Sequence, residues 1–303
     1  MRFKGLDLNL LVAFEALIEL RNVSRAADRL ALSQPAASAA LFRLREFFGD
    51  PLLTSQGKRM YVTPVAEALL PQVRACLRAA EIVVANPKGF DPATTRRTFR
   101  IIASDYFITA VLVDLARELV VAAPGVRFDF ILPDNAAVDS LDRGEMDLFI
   151  SPPEFLSNTH PAELLFEETH VVAGWSENPH LRGPLTEAQF LTAPHVTVAI
   201  SSQRTKTFAE RHLDEMRRPR EVVATACSFT LVPWLLIGTQ RLAVMHERLA
   251  RTFARHLPIT TAPMPFDFPP MREMAQYHET RVSDEGLRWL IDQIRNAAAA
   301  VAA

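Results

Sequence analysis

The stretch Ser24-Arg25-Ala26-Ala27-Asp28-Arg29-Leu30-Ala31-Leu32-Ser33-Gln34-Pro35-Ala36-Ala37-Ser38 decides how the N-terminal part of this chain is read. It has the form of two short helices with a tight turn between them. Ser24 is placed to cap the first, whose inward side chains are Ala27 and Leu30. Ser33 is placed to cap the second, with Pro35 in its first turn, where a missing N–H breaks no hydrogen bond. From there Ala37, Leu41, Leu44 and Phe48 recur at steps of four, three and four, one face of a helix. Pro35, Ala36, Ala39, Phe42, Arg43 and Glu46 fall on the outer side, with Gln34 and Ser38 near the first turn. Small residues facing small residues let two helices cross closely. A helix-turn-helix requires this, and an ordinary helical hairpin in a core also allows it.

In the first case the second helix offers its N-terminal end to base edges in the major groove. Gln34 suits adenine, Ala36 and Ala39 suit thymine methyls, and Arg43 suits guanine or a phosphate.

The neighbouring segments favour that case. Leu8 to Leu17, Val23 to Ala27, Leu32-Ser33-Gln34-Pro35-Ala36, Arg43-Leu44-Arg45, Asp50-Pro51-Leu52-Leu53 and Thr63-Pro64 follow one another in that order. This N-terminal part resembles the DNA-binding domain of LysR-type transcriptional regulators, in particular the branch of nodulation regulators and regulators of aromatic catabolism. The specific likeness covers about the first 80 residues. It implies an all-α N-terminal winged helix-turn-helix followed by an α/β, two-lobed effector domain like the periplasmic solute-binding proteins. The DNA-binding set implied is Ser24, Arg25, Ser33, Gln34, Pro35, Ala36, Ser38, Ala39, Arg43, Lys58 and Arg59.

A chain of 303 residues is long enough for roughly two domains with a core each. Net charge is only −2, yet residues 1–80 carry eleven Lys and Arg against seven Asp and Glu, so the remainder is acidic. A basic module on an acidic body suits a protein that meets nucleic acid at one end. The two cysteines, Cys76 and Cys227, lie too far apart to suggest a disulfide framework, and Cys227 is expected to be buried and apolar. Arg2 and Lys4 precede an apolar run that Asp7 and Glu15 interrupt, so no signal peptide is expected. No run of 18 uncharged apolar residues occurs; the chain reads as cytoplasmic, without a membrane partner.

Residues 6–21 read as the first helix, with Leu10, Leu11, Phe14, Leu17 and Ile18 inward. Leu52-Leu53-Thr54 and Met60-Tyr61-Val62 flank a polar tip and read as a β-hairpin, the wing by resemblance, with Lys58 and Arg59 able to meet phosphates. Thr63 and Pro64 open a helix to about Ala85, which Pro71 is expected to kink or divide near Leu70. Ala66, Leu69, Val73, Cys76, Ala80 and Val83 repeat at close to 3.5 residues, a seam for a partner helix, so a homodimer or homotetramer is expected. The resulting division is 1–63 winged helix-turn-helix, 64–86 dimerisation helix, 87–96 hinge linker and 97–303 effector domain.

Beyond Arg97 strand-like and helical segments alternate, the signature of an α/β sheet. Strands are expected at 98–103, 126–132, 148–150, 168–174, 195–200, 221–226, 242–246, 258–263 and 271–278, and helices at 204–217, 229–239 and 284–298 among others. Arg143-Gly144-Glu145-Met146-Asp147 resembles a family motif, with Met146 where the family has Leu. The resemblance implies lobes at 97–166 plus 269–303 and at 167–268, with the effector between them.

Binding groups collect at strand C-termini and helix N-termini. Ser104, Ser151, Ser201, Ser202 and Ser228 each follow an expected strand, where they either hold a carboxylate, phenol or carbonyl or merely cap helices. Asp105, Phe229 and His246 complete the candidate effector set. His170, at the crossover, faces either the cleft or the other side of its strand. Phe107, Phe229 and Trp234 are either an apolar wall for a ligand or plain core.

No phosphate-cradling glycine pattern or Gly-x-Ser-x-Gly turn occurs, and His246-Glu247-Arg248-Leu249-Ala250 lacks the second His of a zinc-protease helix. No enzyme activity, cofactor or metal is therefore expected. The reading is a DNA-binding transcriptional regulator controlled by a small effector, an aromatic or phenolic acid, with double-stranded DNA and RNA polymerase as partners. A cytoplasmic solute-binding protein or enzyme on the same scaffold is the alternative.

Overall fold

The computed structural model describes residues 8–56, 59–85, 90–134, 136–200 and 204–302. They form two compact units, one up to residue 85 and one from residue 90 on, with residues 142–145 grouping with the first. Among the described residues no helix is long and apolar enough to cross a membrane.

In the first unit, α1 (Leu8–Leu20), α2 (Val23–Arg29) and α3 (Gln34–Phe48) precede a hairpin of β1 (Leu53–Gln56) and β2 (Arg59–Val62), then α4 (Pro64–Ala85). Leu10, Leu11, Phe14, Leu17 and Ile18 are all buried, as their spacing predicts. Ala26 and Ala27 on α2 and Ala37 on α3 are buried small residues, which is what allows the close crossing. Ser33 caps α3, its hydroxyl accepting from the Ala36 N–H at 3.3 Å.

Ser24 does not cap α2. Asn22 does, accepting from the Arg25 N–H at 3.0 Å, and Ser24 lies exposed inside the first turn. Both residue types cap well, so position alone decides: the chain enters the helix two residues earlier.

Gly49 ends α3 in the left-handed region (φ 65°), which a residue without Cβ adopts readily. Arg45 then reaches forward to donate to the Pro51 and Leu53 carbonyls, both at 2.7 Å, and so fixes the path into the hairpin. The Thr63 hydroxyl donates to Asp50 at 2.6 Å and accepts from the Ala66 N–H at 3.2 Å, tying the hairpin base to the start of α4.

Pro71 does not divide α4. It removes one hydrogen bond, that to the Glu67 carbonyl, on a turn where Glu67 is exposed and water can take its place. The seam on α4 is only partly available. Ala66 and Val73 are buried in this chain's own core, with Leu69, Leu70 and Leu77 packed beside them. Arg74 pairs with Glu15 at 3.0 Å and with Glu19, anchoring α4 to α1.

The second unit starts with β3 (Arg97–Ile102). A helical run follows: α5 (Asp105–Phe107), a π-helical turn (Ile108–Leu112) and α6 (Val113–Ala122). Then come β4 (Val126–Ile131), α7 (Ala137–Asp142), β5 (Leu148–Ser151), β6 (Ala162–Glu168) and β7 (His170–Trp175). After these lie α8 (Glu187–Thr192), β8 (Pro194–Ile200), β9 (Thr205–Lys206), α9 (Phe208–Glu215), β10 (Glu221–Ala226) and α10 (Val232–Leu236). The chain closes with β11 (Leu242–His246), α11 (Glu247–Ala254), β12 (Ile259–Pro263), β13 (Met271–Gln276) and α12 (Glu285–Ala302).

Two sheets result, in the orders β4-β3-β5-β13-β6 and β10-β8-β11-β7-β12, the second with β9 beside β8. The chain passes from the first sheet to the second across Thr169 alone, and back through residues 264–270. β6 was not expected from the sequence, because Glu163, Glu167 and Glu168 break its apolar pattern. The helix expected at 229–239 shrinks to α10, its start delayed to Val232 just ahead of Pro233 at the second position.

Asp147 of the Gly-containing motif is the hub of a buried ion network. It accepts from the Arg100 N–H at 2.8 Å and pairs with Arg281 at 2.6 Å. Arg97 grips Asp284 through both nitrogens, at 2.6 and 2.7 Å. Burial alone would raise the Asp284 pKa, but the hydrogen bonds and charge of Arg97 hold it below the ordinary aspartate value. The network fastens the start of α12, whose Leu287, Leu290, Ile291, Ile294 and Ala298 then enter the core.

Candidate functional site

Two surfaces carry the residues singled out in the sequence. On α3, the buried side is Ala37, Leu41 and Leu44, so Gln34, Pro35, Ala36, Ser38, Ala39 and Arg43 are all exposed along the other. Ser24, Arg25 and Ser33 are exposed as well, and Phe42 projects from the same helix with 63% of its surface open. Arg59 begins β2 and pairs in register with Gln56, while Lys58 lies outside the described residues.

The second surface is a cleft between the two sheets. Its inner part is a cavity of about 200 Å³. Ser104, Ser151, Phe229 and His246 line it, and an adjoining outer part is lined by Ser104, Asp105, Ser228 and Phe229. Six of the nine expected effector residues are thereby gathered here from four separate segments of the chain. Ser201 and Ser202 lie outside the described residues.

Not all of them are open to a ligand. The Ser104 hydroxyl caps α5, accepting from the Phe107 N–H at 3.3 Å. Asp105 closes the cleft on one side: its carboxylate accepts from the Phe229 N–H (3.2 Å), the Thr230 N–H (2.8 Å) and the Thr230 hydroxyl (2.7 Å). It is a clasp from the first sheet to the second.

His170 does not line the cavity. It is buried behind it against Phe208, His246 and Phe268, and burial pushes its pKa down to about 3. Phe107 is fully buried core rather than cavity wall, and Trp234 is 58% exposed on α10, away from the lining. Cys227 is exposed, contrary to expectation, because it follows β10 at the outer part of the cleft; Cys76 is exposed on α4.

The cavity floor is a buried polar cluster that sequence reasoning missed. The Tyr106 hydroxyl donates to Glu168 at 2.6 Å, and Arg248 donates to the same carboxylate at 2.8 Å. Arg248 also lies over the Phe166 ring, 4.2 Å from its centroid. Tyr106 stacks on His246 with centroids 3.6 Å apart, and burial holds the His246 pKa well below its ordinary value. Glu273, 2% exposed, faces the cavity. Burial, then the charge of Glu168, raises its pKa well above the ordinary glutamate value. One signal for it was present: in β13 Met271, Glu273 and Ala275 share a face, so a glutamate occupies an apolar period-2 position. Thr205, Thr207 and Phe208 were missed because the lining segment there is too short to show a period.

Among the described residues no group of three or more His, Cys, Asp or Glu is placed to hold a metal ion.

An exposed-face helix-turn-helix with a hairpin, followed by two sheets enclosing a cleft, defines a class of two-part regulators. The models of two families match here: the bacterial regulatory helix-turn-helix protein, lysR family, over residues 8–67, and the LysR substrate binding domain over residues 92–299. Nodulation protein D of Bradyrhizobium sp. (strain ANU 289) is 37% identical over 290 residues, 96% of this chain and 86% of that protein. Nodulation protein D 1 of Rhizobium leguminosarum bv. phaseoli is 38% identical over 296 residues, 96% of this chain and 93% of that one. Among solved structures, the probable transcriptional regulator PA0477 from Pseudomonas aeruginosa matches with TM-score 0.72 and 32% identity over 97% of both chains. The chain belongs to the LysR family of transcriptional regulators. Full-length CbnR, solved in complex with its target DNA, shares the fold at TM-score 0.65 and 15% identity, over 96% of this chain and all of that one.

Proposed function

We propose that this LysR-type regulator grips double-stranded DNA through the exposed side of α3 and the β1–β2 hairpin, as a homodimer or homotetramer. The effector that controls it is a small aromatic or phenolic molecule held in the cleft. The observation that carries the DNA reading is the one-sided burial of α3: Ala37, Leu41 and Leu44 inside, Gln34, Ser38 and Ala39 outside toward the N-terminal end, and Arg43 outside further along. That end is the part of a recognition helix that meets base edges. Lys58 and Arg59 serve phosphates, and a second copy supplies the second half-site. The apolar cavity wall of Phe149, Phe155, Phe208 and Phe229 supports a ring-bearing effector. Binding shifts the balance between two arrangements of the lobes, which needs a different affinity for each. Contact with RNA polymerase passes the result to transcription.

The test is a mobility shift with the DNA upstream of the protein's own gene, with and without benzoates, hydroxybenzoates and aromatic ketones. A discrete complex whose footprint changes with one of these compounds is expected. Failure to shift that DNA, or binding indifferent to Gln34→Ala with Arg43→Ala, overturns the assignment of α3.

A further inference from the structure

The inner cavity of the cleft has an unusual charge balance for a site meant to hold a small acid. Among its described lining residues there is no Lys or Arg, while two carboxyl side chains, Asp134 and Glu273, take part. Asp134 is at the exposed rim and already accepts from the Ala136 N–H at 2.9 Å. Glu273 is the inner one. Among the described residues its carboxyl has no hydrogen-bond or ion-pair partner, although 2% of the residue is exposed. The guanidinium of Arg248 is committed to Glu168 and lies over Phe166, and that of Arg211 lies over the Phe155 ring, 5.1 Å from its centroid.

We propose that this cavity takes uncharged ring compounds and rejects carboxylates of the same shape, Glu273 donating its carboxyl hydrogen to a ligand carbonyl or phenol oxygen. The inference rests on the effector reading above and deepens it: of the carboxylate, phenol and carbonyl head groups compatible with the sequence, it keeps the last two. The physical ground is desolvation. An anionic ligand moved into this cavity loses its water and finds no Lys or Arg among the described lining residues in exchange, which makes its transfer unfavourable. It would also meet the charge of Glu168, whose one cationic partner is already used.

The same surroundings favour the protonated form of Glu273. Burial and the neighbouring Glu168 and Glu154 disfavour its ionised form more than Arg248 favours it. A protonated carboxyl in an apolar cavity is a strong donor with nothing yet to donate to. A ligand oxygen that accepts from it satisfies a group otherwise left without a partner. The flanking walls fit this role: Phe229 and Phe155 offer apolar faces, while Ser151 and Thr205 supply further polar atoms at the edges.

The experiment is titration calorimetry of the full-length protein at pH 6.5 with acetophenone and benzoate, near-identical in shape and differing in charge. The expected result is at least tenfold tighter binding of acetophenone. Glu273→Gln, which keeps an N–H donor, should hold acetophenone within about threefold, and Glu273→Leu should weaken it about tenfold. Circular dichroism establishes that each variant is folded; should Glu273→Leu not fold, the two probes on the unaltered protein and on Glu273→Gln decide. Benzoate binding as tightly as acetophenone overturns the proposal while leaving the cleft as an aromatic effector site. So does a Glu273→Gln variant that loses acetophenone, because an amide preserves the donor. If neither probe binds the folded protein, the aromatic-effector reading itself falls, and the inference with it.

Discussion

The exposed side of α3 and the cleft of the second unit treat polar groups in opposite ways. On α3 the candidate side chains Gln34, Ser38, Ala39 and Arg43 are exposed, on a helix that Ser33 caps and that Ala37, Leu41 and Leu44 anchor. In the cleft several polar groups hold one another, Tyr106 and Arg248 on buried Glu168 and half-buried Asp105 on Phe229 and Thr230. The first surface can be altered without touching stability, whereas in the second, function and folding share the same hydrogen bonds.

The comparison breaks most sharply at Glu168. Glu168→Ala leaves Arg248 buried without its partner and Tyr106 without an acceptor, so a loss of about 3–5 kcal/mol is expected. Denaturant unfolding of the full chain measures it. A loss under about 1 kcal/mol would mean that water reaches this floor and that the cluster is not closed.

Gln34→Ala and Arg43→Ala test the other surface. Each should weaken operator binding by about 1–3 kcal/mol, read by titrated mobility shift, while unfolding stability of Gln34→Ala stays within about 0.5 kcal/mol. Lys58→Ala and Arg59→Ala should weaken specific and non-specific DNA alike and flatten the salt dependence. A stability loss in Gln34→Ala comparable to its binding loss would erase the contrast between the two surfaces.

Acid sharpens the comparison further. His170 and His246 are buried neutral, with pKa values lowered to about 3 and well below the ordinary value respectively. Between pH 6.5 and about 4 the unfolded chain takes up protons that the folded chain refuses. Stability is therefore fully present above pH 6.5 and declines as pH falls, by about 1 kcal/mol per pH unit for each histidine. His170→Leu should make the decline shallower, measured by unfolding at a series of pH values. An unchanged slope would mean that His170 is free to protonate.

The smallest effect separates two neighbouring side chains. Asn22→Ala removes a helix cap and should cost about 1 kcal/mol, whereas Ser24→Ala should change stability by less than about 0.5 kcal/mol. Thermal unfolding of the two variants reads the difference, and equal losses would show that the start of α2 is set by neither side chain alone.

What could be read from the sequence follows from how far apart the deciding residues lie. The winged-helix fold is written locally: Ser33 caps a helix through the N–H three residues on, with Pro35 in its first turn, Gly49 ends that helix by its backbone freedom, and the Thr63 hydroxyl caps the next. The alternation of strands and helices past Arg97 was also legible, because apolar period needs only a handful of neighbours. Asn22 rather than Ser24 as cap was not, since the two types serve equally and only the packed path of the chain chooses.

The cleft belongs to the tertiary structure. Ser104, Ser151, Ser228 and His246 could be nominated one by one as residues that end strands, yet whether each serves a ligand, a helix end or the core depended on partners far along the chain. Asp105 is spent on Thr230, 125 residues away, and Tyr106 on Glu168, 62 residues away. In sequence Glu273 shows only that it shares a period-2 face with Met271 and Ala275, not what it meets there. Only the folding of β13 beside β6 places it against a second carboxylate, out of water and facing a cavity. Local rules act through backbone geometry over a few residues and so appear in the sequence. Burial and charge pairing act through space, and no stretch of sequence contains them until the two sheets have closed on each other.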